Sequence, residues 1–371
     1  MDHRLKQDSK VYKVLFSSPI KLEGSYQQED VLIEPVHPNR MGIYSFQTNR
    51  FDRSSSENSV GRYHYMLVFD FMPPPNEQSV IIPDYSHIGD HICIALSVLY
   101  GKRFDNHGMI EGSGFFWMPH YEDLISFSPR RYYPSYSDSP RNDISIKLEL
   151  KESAPVVDFT VHCRNEKLFR YFFNAARFYL SSIKLIHSDL DKAYLDLITC
   201  GEILSNFYDY SEDELFDDDL SQLLGRLTSY NVPDKDLRLI KTRLYQVKRK
   251  FFLTLKNLIN ESFFEATESK VKDGRFTQGN IDKSIKAAYD LRSHYVHTGF
   301  QFKDWIQVYA GSEYLLSEVQ PSGFIPNVDS KDLRKLIEKI PTYVGLERIM
   351  RFALLRFLHT NGIYIHCDLD S

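Results

Sequence analysis

Near residue 165 the spacing of apolar residues changes period, and this change restricts the chain to a mixed architecture. Before it, short runs rich in Val, Ile, Tyr and Phe predict strands: "KVYKVLFSS" (10–18), "YHYMLVFDF" (63–71), "SVIIPDY" (79–85), "ISIKLEL" (144–150) and "PVVDFTV" (155–161). Clusters of Pro, Asn, Gly and Ser separate them, as turns require. One helix is expected among the strands at "HIGDHICIALSVLYG" (87–101), closed by Gly101, and a loop at "SPRRYYPSYSDSPRN" (128–142).

After the change the period is helical. Leu168, Phe172, Ala176, Tyr179 and Ile183 recur every three or four residues, forming one apolar stripe. Ser188 followed by Asp191 predicts a cap for the next helix, whose packed face is Ala193, Leu197, Gly201 and Leu204. Leu237, Ile240, Leu244, Val247 and Phe251 predict a single packing seam. Ile281, Ile285 and Ala288 lead another helix, and Leu346, Ile349, Met350, Ala353 and Phe357 mark a last one, ended near Asn361-Gly362. The expected fold class is α+β. A β-rich N-terminal domain (1–160) precedes an all-helical domain (161–371).

Such a chain has the composition to bury a core: 42% of its residues are hydrophobic and 26% charged. Its net charge of −5 gives no global attraction to nucleic acid, so any such contact must come from local patches. Cys93, Cys163, Cys200 and Cys367 include no CxxC pair, which predicts reduced thiols. "MDHRLKQDSK" has no apolar signal-peptide core, and no apolar run approaches the ~20 residues of a membrane span. The expected location is cytoplasmic.

Chemistry concentrates in "DLRSHYVHTG" (290–299). Thr298-Gly299 is a helix stop, so His297 falls in the last turn, where the negative end of the helix dipole favours imidazolium. Arg292 lies about 140° around the helix from His297 and ~7.5 Å along its axis. The two side chains therefore do not stack on one face. They can meet a common ligand across a groove, through a distorted last turn, or beside copies from a second chain. Arg can hold two phosphate oxygens with its planar fork, and His can move a proton near neutral pH. That pair suits phosphodiester cleavage without a metal. Capping of carbonyls at a helix end is the plainer reading of the spacing alone.

"KAAYDLRSHYVHTG", preceded by "NAARFYLSSIKLIHSDLDKAYLDLITCGEIL" and followed by "GLERIMRFALLRFLH", resembles the HEPN superfamily, in particular its Apea-like branch. "ALSVLYGKRFDNHG" in the N-terminal half is also similar to that branch. The likeness covers about residues 165–360 well, and its sharp motif, R-x4-H, falls on Arg292 and His297. It implies a helical bundle that dimerises with its motif helices facing, so that two Arg–His pairs build one groove. It further implies a metal-independent endoribonuclease that needs no cofactor. In that reaction the ribose 2′-OH attacks the phosphate, leaving a 2′,3′-cyclic phosphate and a 5′-OH. Arg292 would bind the scissile phosphate and His297 would handle the proton, with Ser293, His294 and Asp290 in support. Ser293 stands where the family commonly has Asn, Asp or His. Gly299 stands where HEPN toxins paired with nucleotidyltransferases carry tyrosine, which weighs against a toxin silenced by tyrosine modification. The likeness also implies an antiphage, abortive-infection role, with an activating ligand, phage-derived or other, at the N-terminal domain. The alternative is a non-catalytic RNA- or protein-binding module of the same fold.

Other constellations are weaker. Asp290, His294 and His297 share a helical face with metal-ligand spacing, but hydrogen bonding at a helix end is the expected use and no metal is assigned. His87 and His91 are spaced for zinc, yet Cys93 points away on an ideal helix, so packing is expected. No G-x-x-x-x-G-K-[ST] is present, which leaves a P-loop NTPase unsupported. Residues 209–219 carry seven carboxylates and residues 235–250 seven Lys/Arg. Arg238, Lys241, Tyr245 and Lys248 would share one face of a helix and could track an RNA backbone, against the plainer reading of a solvated face. "RRYYPSY" (130–136) offers tyrosines for stacking on unpaired bases, against the plainer reading of a surface loop.

Overall fold

Alternation in "KVYKVLFSS" sends Tyr12, Val14 and Phe16 to one side, and in the computed structural model this run is a central strand, Lys10–Ser18 (β1). The structure describes residues 10–28, 31–36, 62–71, 84–112, 114–119, 133–216, 218–243, 247–308, 311–324 and 326–365. Five more strands join β1: Tyr26–Gln28 (β2), Val31–Pro35 (β3), Tyr63–Phe71 (β4), Asp105–Gly112 (β5) and Phe115–Phe116 (β6). They form one antiparallel sheet in the order β2-β3-β4-β1-β5-β6. Register pairs Val14 with Leu67 and Phe16 with Tyr65, which gathers the large side chains on one face. Helix Ser86–Tyr100 (α1) lies on that face and closes at Gly101, whose φ of +63° suits glycine. The approach is close: a Cβ on Gly89 would lie 2.5 Å from Val14 Cγ1. Leu15 and Ile110 occupy the other face, packed by Val36 and Met66.

Besides two single-turn helices, Glu212–Leu215 and Ser262–Glu265, the remaining helices among the described residues are Ala154–His162 (α2), Glu166–Leu185 (α3), Leu190–Ser205 (α4), Asp218–Ser229 (α5), Asp234–Arg243 (α6), Val247–Leu258 (α7), Ile281–Thr298 (α8), Lys331–Ile337 (α9) and Tyr343–Thr360 (α10). The stripes expected on α3, α4, α8 and α10 are all buried. In α10, 16 of 18 residues are buried, so it runs through the middle, in contact with α1, α3, α4 and α7. One apolar cluster extends from Tyr12 in the sheet to Ile365 after α10.

Several expectations are corrected. "PVVDFTV" is helical, not a strand: Pro155 sits in the first turn, where its missing N–H costs nothing, and Phe159 packs against Phe169, Phe172 and Phe173 of α3. "ISIKLEL" makes only an isolated bridge at Glu149 before a 3₁₀ turn, Leu150–Ser153. Glu23 N donates to Leu148 O and Leu150 N to Glu23 O within that bridge, and Ile144 O accepts from Arg351. The cap of α4 is Asp189 rather than Ser188: its carboxylate accepts from Lys192 N at 3.0 Å. Asp191 lies inside the first turn and accepts from Phe302 N. The seam expected across 237–251 does not hold as one stripe, since Leu237 and Phe251 are buried but Ile240 is 37% exposed. Residues 79–83 of "SVIIPDY" and Leu244 lie outside the described residues.

Ionic contacts buried among α1, α3, α10 and the 141–144 segment lock these parts together. Arg141 donates from Nη1 and Nη2 to the two carboxylate oxygens of Glu347, at 2.9 and 2.7 Å, and from Nε to Glu268 at 2.5 Å. Tyr179 of α3 donates its hydroxyl to the same Glu347. Arg351 donates to Asp143 at 2.8 Å and to the last carbonyls of α1, Val98 and Leu99. Arg141 and Arg351 have fully buried side chains, so each depends on these partners.

Candidate functional site

Helix α8 buries Ile281, Ile285, Ala288 and Leu291 along one side. Its end is closed as the sequence predicts. Gly299 takes φ +68° and its N–H donates to Tyr295 O at 2.7 Å, while Thr298 Oγ1 donates to His294 O at 2.7 Å. His297 therefore sits in the last turn. It is exposed and has no hydrogen-bond or ion-pair partner among the described residues. Apolar side chains flank it: Val296 is 59% exposed and Phe300 52% exposed, with Phe300 stacked on Trp305 at 5.3 Å. His294 lies beside the same Phe300, 6.4 Å between ring centres.

Arg292 faces another way. Its Nη2 donates to Glu202 of α4 at 3.4 Å, and its guanidinium lies 5.7 Å from the Tyr289 ring one turn back. Burial first, and then the Glu202 carboxylate that accepts its hydroxyl, push the Tyr289 phenol up to about 12. Glu202 thus holds a neutral phenol and a guanidinium at once. Among the described residues this long contact engages one of the five N–H donors of Arg292. No contact joins Arg292 to His297 among the described residues, in keeping with their angular separation on α8.

Asp290 and Lys248 are brought together, but as partners of each other, at 2.5 Å across α7 and α8. Lys286 over Phe252, at 4.3 Å, and Lys256 with Asp282, at 3.0 Å, continue this antiparallel ladder. Lys248 is thereby partly neutralised. Of the basic face expected around it, Arg238 on α6 and Lys248 on α7 are exposed, and Tyr245 and the side chain of Lys241 lie outside what the structure describes. Arg249 bonds Glu214 O, which ties the basic segment to the acidic one before it. Ser293 is half-buried on α8.

Two residues beside Arg292 were not singled out from the sequence. Tyr289 could have been, since it lies three residues before Arg292 on the same helix. Glu202 comes from a helix 90 residues away, and no local spacing marks it.

Comparison with protein-family models, curated proteins and solved structures finds no match.

The other constellations resolve into packing. His91 sits against Phe169 and Phe173, with ring centres at 5.1 and 4.5 Å, and Cys93 is buried. Tyr133 and Tyr136 of "RRYYPSY" are buried, and Tyr136 donates to Ile183 O, so neither is a platform for bases. Residues 130–132 lie outside the described residues. Among the described residues no three His, Cys, Asp or Glu side chains are grouped to hold a metal ion, and no helix is long and apolar enough to cross a membrane.

Proposed function

We propose that this protein is a metal-independent endoribonuclease of HEPN type, with Arg292 and His297 from two copies of the chain sharing one RNA groove. The observation that carries this reading is the state of the α8 terminus. Among the described residues it presents an exposed imidazole without a partner, and five residues earlier a guanidinium held by a single long hydrogen bond. Both are available to a ligand; they do not serve each other. Val296 and Phe300, exposed beside His297, supply apolar area for a second copy to cover. In this reading a two-fold axis there brings each Arg292 to the partner's His297.

In the reaction, the ribose 2′-oxygen forms a bond to phosphorus and the bond from phosphorus to the 5′-oxygen breaks. The proton of the attacking hydroxyl is removed and the leaving oxygen gains one, and His297 serves this transfer. Arg292 turns from Glu202 to two phosphate oxygens and stabilises the charge that gathers on them. Glu202 holds the guanidinium in readiness until RNA arrives. The sheet and α1 form the sensing or substrate-selecting part, and a role in antiphage defence rests on the same family likeness.

The engagement of Arg292 by Glu202 also favours a second reading, a non-catalytic RNA- or protein-binding module. Incubation with single-stranded RNA in the presence of EDTA separates the two. The expected products end in 2′,3′-cyclic phosphate and 5′-OH. Binding with no cleavage would favour the module, and cleavage abolished by EDTA would overturn the metal-independent mechanism.

A further inference from the structure

Where α3 crosses α1 and the start of β5, the surface opens into a cleft of about 300 Å³, remote in sequence from the α8 terminus. Its size is at the lower end of small-molecule sites. Arg177, Ser181 and Lys184 line it from α3, at positions that recur on one helical face. Asp90 and Asn106 line it from α1 and β5, and Ile94 and Leu180 add apolar lining.

The polar groups divide into two kinds. Arg177 is exposed and has no ion pair among the described residues. Lys184 forms an ion pair with Asp105 at 2.9 Å, but that buried carboxylate is shared with Arg62 at 2.6 Å and Arg103 at 2.8 Å. Burial works to raise the Asp105 carboxyl, yet Lys184, Arg103 and Arg62 outweigh it and keep it below the usual carboxylate range. Lys184 thus receives only part of one negative charge, and its ammonium has N–H donors to offer a ligand. Ser181 spends its hydroxyl proton on Asp196 of α4, so anion binding falls to the two cations. On α1, Asp90 accepts from Asn106 Nδ2 through one oxygen, at 2.9 Å, and its other oxygen can accept from vicinal hydroxyls.

We infer that this cleft binds a nucleoside 5′-phosphate, either free or as the end of an RNA strand. Arg177 and Lys184 take the phosphate, Asp90 takes the ribose hydroxyls, and Ile94 and Leu180 carry the base. A bare anion would leave Asp90 facing it with no donor, and a neutral nucleoside would leave the cations unmatched.

Isothermal titration of the full chain at low salt tests this with AMP, GMP, CMP, UMP, adenosine and inorganic phosphate. A mononucleotide should bind about tenfold or more tighter than adenosine or phosphate. Arg177→Glu should weaken it about tenfold or more, with an unchanged circular dichroism spectrum. Asp90→Asn should weaken the mononucleotide but not phosphate. A 5′-phosphorylated RNA tetramer, titrated into protein carrying His297→Ala, identifies the source. Binding tighter than AMP, and lost in Arg177→Glu, assigns the site to an RNA end; weaker binding assigns it to the free nucleotide. The inference is overturned if no mononucleotide binds at millimolar concentration, if the folded Arg177→Glu protein binds as tightly as the parent, or if phosphate alone matches AMP.

Discussion

His297→Ala is expected to lower the rate of RNA cleavage by about 10²–10⁴-fold, the usual contribution of a positioned proton-transfer group. The melting temperature should not move, because the imidazole is exposed and has no partner in the fold among the described residues. Arg292→Ala should also lose cleavage, and Arg292→Lys should fail to restore it. An ammonium cannot reproduce the planar fork that holds two phosphate oxygens. The contrast with stability is what matters. A variant that loses both activity and melting temperature would speak only for a structural role, whereas His297→Ala should lose activity alone. Single-turnover cleavage assays and thermal melts on the same preparations read both quantities.

Glu347→Ala is expected to have the opposite profile, with a large loss of stability. Removing this carboxylate leaves Arg141 short of its bidentate partner and the Tyr179 hydroxyl without its acceptor, both deep in the core. Breaking a buried pair from one side costs about 3–5 kcal/mol, because the remaining charge stays out of water. Glu268 and Asp143 still face Arg141, which keeps the loss within that range rather than above it. The measurement is the urea midpoint at constant slope. A loss under about 1 kcal/mol would mean that the network is solvated or rearranges freely. The same network ties α1 and α3 to α10: Arg351 bonds the end of α1, while Arg141 and Tyr179 meet at Glu347.

Much of this architecture was legible in the residues. β1 and β4 fall on the two strongest strand runs, and α1, α3, α4, α8 and α10 on the clearest helical stripes, with Gly101 and Gly299 as their stops. The misses have physical causes. β5, "DNHGMIEG", is not among the expected strands, because Asn, His and Gly stand together in it. It is a strand nonetheless: its pairing with β1 slips twice, and Gly108 takes φ +87° within it. "PVVDFTV" carries β-branched residues, but Phe159 gains more by packing on α3 than the run gains as a strand. Asp189 and Ser188 are both good caps, and only the start of α4 at Leu190 decides between them. At the candidate site the helix end and the divergence of Arg292 from His297 followed from spacing alone. Glu202 did not, because contact across 90 residues leaves no periodic trace. The pairing of Lys248 with Asp290 was hidden for the same reason as Glu202, since its partner lies on another helix.

The sharing of Arg292 and His297 between two chains is tested most directly by mixing two inactive proteins. Arg292→Ala and His297→Ala are purified separately, allowed to exchange subunits in equal amounts, and assayed on single-stranded RNA with EDTA present. A mixed dimer carries one intact pair, with arginine from one chain and histidine from the other, so the mixture should recover about a quarter of parental activity. A mixture no more active than either variant alone, under conditions where exchange is verified by mass, would contradict a site built across the dimer.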